Sequence, residues 1–318
     1  MSSPCLFVRA PEQASVHPRI LAISPSKANR VFAPTRRVLM QSSILYRALV
    51  AYIYLPHHPG QGFIIDRILP RLEPPLNRLR PRTRFGIRFE CDLTDKLTRE
   101  IYYYGFDRRD CRVLSRLVES GQVVLDIGAN IGYFSLLFAK WVGATGAVHA
   151  FEPFPETVLR FKRNLELNPR LKSIVRIHEL AISDSVGSLS MAVPDQGNSG
   201  CNYLRTDGSQ TIKVTTLDAF VQQERLSNID LIKIDVEGSE VALLEGARET
   251  IERFRPVLMI EVNPSTLQRF SKTSADLIEL LGKHRYRMSC ATRIGTLKPL
   301  SCLPIYGEEP NVFAFPIN

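Results

Sequence analysis

The chain predicts an α/β domain on a mainly parallel sheet with helices on both faces, preceded by an irregular basic arm. Three observations carry that expectation. Five short apolar runs read as buried strands: VVLDIG (123–128), AVHAFEP (147–153), VRIHELAI (175–182), DLIKID (230–235) and VLMIEV (257–262). Helix-spaced stretches separate most of them, and strands alternating with helices make βαβ units. The charge, +9 over 318 residues, sits at one end. Residues 1–90 hold thirteen Arg and one Lys against four acids, a net +10, which leaves about −1 for the rest.

Taken in order, residues 1–37 are rich in Ser, Arg and Pro with Glu12 as their one acid. They read as a disordered leader or a transit peptide. Residues 38–55 are the longest apolar stretch, but Arg47, Gln41, Ser42 and Ser43 argue against a membrane span. Leu45, Leu49 and Tyr52 share one helical face, which suits peripheral contact with a membrane surface. Prolines at 56, 59, 70, 74, 75 and 81 break the next segment. The arm is therefore expected over 1–84 and the folded domain over 85–318.

Within the domain, RFGIRFECDL (84–93) alternates as a strand would, and helical segments follow up to Gly121. Phe134, Leu137, Phe138 and Trp141 fall on one helical face, as do Val158, Phe161 and Leu165. Leu244, Ala247 and Ile251 repeat the spacing, and so do Leu277, Leu280 and Leu281. GSLSMAV and TIKVTTL predict a hairpin inserted before the fourth strand, around an Asn/Gly loop (196–208). RYRMSC and NVFAFP predict a closing antiparallel pair at one sheet edge.

Six scattered cysteines without a CxxC, and six histidines without HExxH, argue against zinc and against a disulfide scaffold. Free thiols suit a reducing compartment, and a cytoplasmic location is expected.

The informative turn is DIGANIG (126–132), where a strand ends and a helix begins. In open parallel sheets ligands bind at such carboxyl ends. Gly128 and Gly132 suggest close backbone approach to a ligand, with Asn130 between them, and the helix start offers N–H donors to an anion. The dinucleotide fingerprint fails, because Asn130 and Tyr133 stand where it needs glycine. Asp126 would repel a pyrophosphate and attract an ammonium. Glu152, 24 residues after Gly128, is placed to accept ribose hydroxyls, and Phe154 to pack on a base. After the third strand, Asp184 is a candidate for the adenine amine, or a turn-former before Gly187. Ammonium, carboxylate and nucleoside together describe S-adenosylmethionine.

The second motif is DLIKIDVEGSE (230–240). Asp235 at a strand end would face the reacting centre, as first candidate for a general base or as a holder of the cofactor's amino group. Glu237 is the second candidate base, and Glu240 reads as a helix-start acid. Lys233, on a strand buried on both faces, needs a partner, and Asp126 or Asp235 can supply it. Glu261 could border an acceptor pocket. Asp235 and Glu237 could ligate a divalent ion, but no third ligand is evident nearby, so no metal is expected.

VVLDIGANIGYFSLLFAK, AFEPFPETVLRFKRNLELN, LIKIDVEGSEVALLEGA and PVLMIEV resemble the FkbM family of S-adenosylmethionine-dependent methyltransferases over roughly residues 90–262. The resemblance implies a Rossmann-like class I methyltransferase fold with a seven-stranded sheet. It also implies O-methylation of a hydroxyl on a sugar, glycan or secondary metabolite. Two rivals stand beside it. One is an RNA-modifying methyltransferase gripping phosphates with Arg67, Arg71, Arg78, Arg80, Arg82, Arg84 and Arg88. The other is a non-catalytic S-adenosylmethionine-binding module. The near-neutral charge after residue 90 argues against nucleic acid.

Overall fold

Val123–Ile127 (β1) is the axis of the fold: an apolar strand whose last four residues are buried on both faces. It pairs in parallel with Ala147–Phe151 (β2) on one side and with Leu231–Ile234 (β7) on the other. The computed structural model describes residues 48, 51–52, 64–68, 83, 85–93, 95–103, 106–191, 210–292, 294–300 and 311–317. The leader, the Leu45–Leu49 face, most of the arm with Arg71, Arg78, Arg80, Arg82 and Arg84, and the 196–208 loop lie outside them. Among the described residues, no helix is long and apolar enough to cross a membrane.

The remaining strands are Val175–His178 (β3), Ala181–Ile182 (β4), Gly187–Met191 (β5), Gln210–Thr215 (β6), Val257–Glu261 (β8), Tyr286–Ala291 (β9), Leu297–Pro299 (β10) and Asn311–Pro316 (β11). The main sheet runs β10-β9-β11-β8-β7-β1-β2-β3. Its five strands from β8 to β3 are parallel, and β11 pairs antiparallel with both β8 and β9. This is the α/β architecture expected, with one difference. The sheet has eight strands, because β10 adds an exposed edge beyond the expected seven. Strand order reverses between β1 and β7, so the carboxyl ends of β1, β2, β7 and β8 open on one crevice.

Helices cover both faces. Lys96–Tyr103 (α1), Arg108–Leu117 (α2), Tyr133–Val142 (α3) and Pro155–Glu166 (α4) contribute to one apolar layer. Leu217–Glu224 (α5), Glu240–Glu245 (α6), Arg248–Phe254 (α7) and Ser274–Lys283 (α9) build the other, with Leu267 of Pro264–Arg269 (α8). Pro155 opens α4, where its missing N–H costs nothing. Thr273 and Asp276 close a capping box on α9.

Three expectations need correction. VRIHELAI is two strands: β3 ends the main sheet, and β4 crosses into a small sheet of order β4-β6-β5. Its apolar residues continue across the break, with Val175 buried in β3 and Ala181 and Ile182 buried in β4, so nothing in the run marks the change of partner. The Leu244–Ile251 stretch divides at Gly246 into α6 and α7; a Cβ there would lie 2.1 Å from the Ser183 carbonyl oxygen. The 84–93 segment buries Ile87, Phe89 and Cys91 in alternation, but forms only isolated bridges at Arg88 and Cys91. Side chains replace the missing ladder. Arg88 N–H donates to Asn168 Oδ1 (3.0 Å) and Glu90 N–H to Asn164 Oδ1 (2.8 Å).

Candidate active site

The 126–132 turn is closed largely by its own protein. Gly128 and Ala129 N–H donate to the Phe151 carbonyl (3.1 and 2.9 Å), and Gly132 N–H to the Ala129 carbonyl. Asn130, left-handed at φ 49°, donates its N–H to Glu152 Oε2 at 2.9 Å. The N–H groups of Gly128, Ala129 and Asn130 are thus spent on β2 and Glu152. The glycines serve packing too. A Cβ on Gly128 (φ +79°) would stand 1.7 Å from the Asp235 carbonyl oxygen, and one on Gly132 (φ +85°) 2.2 Å from the Phe161 ring. Gly128 still borders the crevice, whereas Gly132 lines neither of its cavities.

Asp126 also moves inward relative to expectation. It is fully enclosed: Ser135 Oγ donates to its Oδ2 at 2.5 Å, and Lys233 Nζ lies 3.5 Å from its Oδ1. The carboxylate faces Lys233 instead of a ligand's ammonium. Lys233 also reaches Asp235 Oδ2 at 3.1 Å, so both partners that the sequence offered are used. Burial works against the ammonium, but Asp235 and Asp126 outweigh it and hold its proton affinity above that of an ordinary lysine. Asp235, its side chain 30% exposed, is the acid of this trio that borders the crevice.

Two cavities meet there. The first is lined by Ile127, Gly128, Asn130, Phe151–Phe154, Leu180–Ile182 and Asp235–Glu237, with Ser239. Glu152 forms part of its wall, with both oxygens already accepting backbone N–H, from Asn130 and Phe154. Each oxygen keeps a second lone pair for a ligand hydroxyl. Burial, opposed by those two donors, pushes the Glu152 carboxyl up to about 7. Phe154 lines this cavity and also packs with Ala181, Ile212 and Val214. Asp184 does not reach it. The chain turns away after β4, and Asp184 Oδ1 accepts from the Ser183 and Ser185 hydroxyls in an exposed turn.

The second cavity shares Gly128, Asn130, Asp235 and Glu237 with the first. It extends to Lys96, Leu97 and Glu100 of α1, to Phe106, to Tyr133 and Phe134 of α3, and to Glu261. Glu237 is held at φ 53° in the turn after β7. That turn is braced by Glu240, whose Oε1 accepts from Val236 N–H (3.4 Å) and Gly238 N–H (3.0 Å). Glu240 therefore organises the turn that carries Glu237.

Glu261 lines the second cavity, but its closeness to Asp235 and Glu237 escaped the sequence reading, and Asp107 escaped it altogether. Carboxylate oxygens of Asp235, Glu237 and Glu261 lie within 4.8 Å of one another, so the third acid thought to be lacking is present. That spacing could hold a cation, and the Lys233 ammonium already brings positive charge to Asp235. Parallel neighbours β7 and β8 bring the acids together, a pairing that no local motif records. Asp107 precedes α2 at φ 46° without capping it. Burial, then the carboxylates of Asp110 and Asp235, push it up to about 7. An Asp before a helix reads as an ordinary cap, so the sequence carries no sign of this.

The methyltransferase FkbM domain model matches residues 126–288, a little over half of the chain. Hexuronic acid methyltransferase AglP of Haloferax volcanii is 29% identical over 148 residues, 46% of this chain and 59% of that protein. 2-O-methyltransferase NoeI of Sinorhizobium fredii is 28% identical over 162 residues, 45% of this chain and 65% of that protein. The matches thus span about three fifths of these curated relatives. The crystal structure of methyltransferase FkbM from Methylobacillus flagellatus aligns with TM-score 0.41 and 18% identity, over 62% of this chain and 44% of that one. With the motifs of β1 and β7 inside the matched span, the chain belongs to the FkbM methyltransferase domain family.

Proposed function

We propose that the chain is an S-adenosylmethionine-dependent O-methyltransferase acting on a hydroxyl of a sugar, glycan or secondary metabolite. The observation that carries this is the shared wall Gly128–Asn130–Asp235–Glu237 between two cavities at the strand switch point. One side offers Glu152 for ribose hydroxyls and Phe154 with Leu180–Ile182 for a base. Asp235 takes the ammonium role first expected of Asp126. The other side, walled by α1 and Glu261, receives the acceptor. Methyl transfer is an in-line displacement, so two pockets meeting at one wall supply most of what it needs. The two relatives, a hexuronic acid methyltransferase and a 2-O-methyltransferase, support a sugar hydroxyl.

Calorimetric titration with S-adenosylmethionine, with NAD as control, tests the donor side. Release of S-adenosylhomocysteine with methyl glucuronide, methyl fucoside and methyl glucoside tests the acceptor side. Binding of S-adenosylmethionine alone, and release with at least one glycoside, are expected. Absence of binding overturns the cofactor assignment, and binding without release overturns the sugar acceptor.

A further inference from the structure

We propose that Glu261 takes the proton from the acceptor hydroxyl during methyl transfer, an inference that rests on the function just proposed. Glu261 closes β8, next to the end of β7, where Ile260 pairs with Ile234. It lines the second cavity and not the first, so it belongs to the acceptor side, whereas Asp235 and Glu237 border both.

Three groups compete for the role, and their surroundings separate them. Asp235 is already engaged, because the Lys233 ammonium donates to its Oδ2 at 3.1 Å. Glu237 sits on the turn at the boundary of the two cavities. Among the described residues, no hydrogen bond or ion pair is recorded for the Glu261 carboxylate. The charges around it are those of Asp235, Glu237, Glu240 and Lys233; Lys233 lines the same cavity, as do Lys96 and Glu100 of α1. A carboxylate set among carboxylates gains by taking up a proton. Burial first, then those three acids, raise its proton affinity well above that of an ordinary glutamate. The chain after it is fixed, since Asn263 Oδ1 accepts from Ser265 and Thr266 N–H at the start of α8.

In the step itself, the acceptor oxygen forms a bond to the methyl carbon. The carbon–sulfur bond breaks with its electron pair on sulfur, which leaves a neutral thioether. The hydroxyl proton passes to Glu261, and from there to solvent.

The test is Glu261→Gln beside Glu261→Asp, assayed with the glycoside that the wild-type protein methylates. Glu261→Gln should lower kcat about 100-fold or more, with KM and the S-adenosylmethionine dissociation constant within about threefold. The rising limb of its kcat/KM-against-pH profile should vanish, and Glu261→Asp should restore part of kcat and the limb. A kcat kept within about fivefold with an unchanged limb overturns the assignment. If the wild-type protein binds S-adenosylmethionine but methylates no glycoside, the acceptor reading and this assignment fall together. If only the variant data disagree, this assignment falls alone.

Discussion

The Lys233 ammonium lies 3.5 Å from the Asp126 carboxylate on the neighbouring strand, and both side chains are shut away from solvent. Lys233 is opposite Asp126 in the β1–β7 register, so the pair bridges the point where strand order reverses. Breaking such a pair leaves a buried charge with too little compensation. Asp126→Ala should therefore lose about 3 kcal/mol or more of stability. The double variant Asp126→Leu/Lys233→Met should recover much of that loss, because an apolar pair needs no desolvated charge. Urea denaturation of Asp126→Leu, Lys233→Met and the double variant measures the coupling. Additive losses would mean that the two residues do not act as a pair.

Gly128 and Gly132 separate two kinds of close contact. At Gly128 the obstacle is the Asp235 backbone carbonyl, 1.7 Å from the Cβ position. At Gly132 it is the Phe161 ring, a side chain. Both backbones are left-handed, which adds about 1–2 kcal/mol for any L-residue. Gly128→Ala should be the more damaging, because the β7 end has no room to retreat. Gly132→Ala should be partly rescued by Phe161→Leu, which opens space at the clash. Thermal unfolding of the three variants decides it: a Gly128→Ala protein as stable as the Gly132→Ala protein would contradict the close approach of β7.

The sheet was legible because its strands are short apolar runs between helix-spaced stretches, and two-sided burial imposes that pattern on β1, β2, β7 and β8. The 84–93 segment shows where legibility ends. Alternation correctly foretold which side chains are buried, but its backbone partners are Asn164 and Asn168, and no period encodes a side chain 74 residues away. The site divides in the same way. Lys233 was legible from strand context as a buried cation in need of a partner, with Asp126 or Asp235 to supply it, whereas Asp126 itself read as facing a ligand. Glu261 needed the β7–β8 adjacency to become the third acid, and Asp107 needed the approach of the start of α2 to Asp235. A glycine in a motif announces a close approach without naming what approaches.

Burial also makes stability depend on pH in a defined direction. Glu152, Glu240 and Asp107 are each pushed up to about 7, chiefly by desolvation. An acid with a raised folded-state pKa favours folding fully below its unfolded value, and that contribution is lost as pH rises through the folded value. Each group can change stability by up to about 1.4 kcal/mol per pH unit in that window. His149 works the other way. Its buried ring is held down to about 4, so its contribution is lost as pH falls below the ordinary histidine value. Above pH ~6.5 the histidine is neutral in both states and the acids dominate. The ligand-free protein should thus lose stability from pH ~6.5 to ~8, and Glu152→Gln should flatten the slope. Denaturation midpoints across that range measure it; a rising midpoint would show that these carboxyls are not penalised by burial.

Asn164 ties one wall of the second cavity to the core. It is buried in α4, where its Oδ1 accepts from Glu90 N–H at 2.8 Å and its Nδ2 donates to the Ile131 carbonyl at 2.9 Å. Through Glu90 it holds the segment that leads into α1, and α1 presents Lys96, Leu97 and Glu100 to the second cavity. Asn164→Leu fills a similar volume but leaves both backbone groups without a partner, a loss of about 2–4 kcal/mol. Hydrogen exchange should quicken in residues 85–103 more than in β1 or β7. If the second cavity receives the acceptor, the variant should raise the acceptor KM more than it weakens S-adenosylmethionine binding, because the first cavity contains no residue of that segment. Equal losses on both sides would show that Asn164 supports the whole crevice and not the acceptor wall alone.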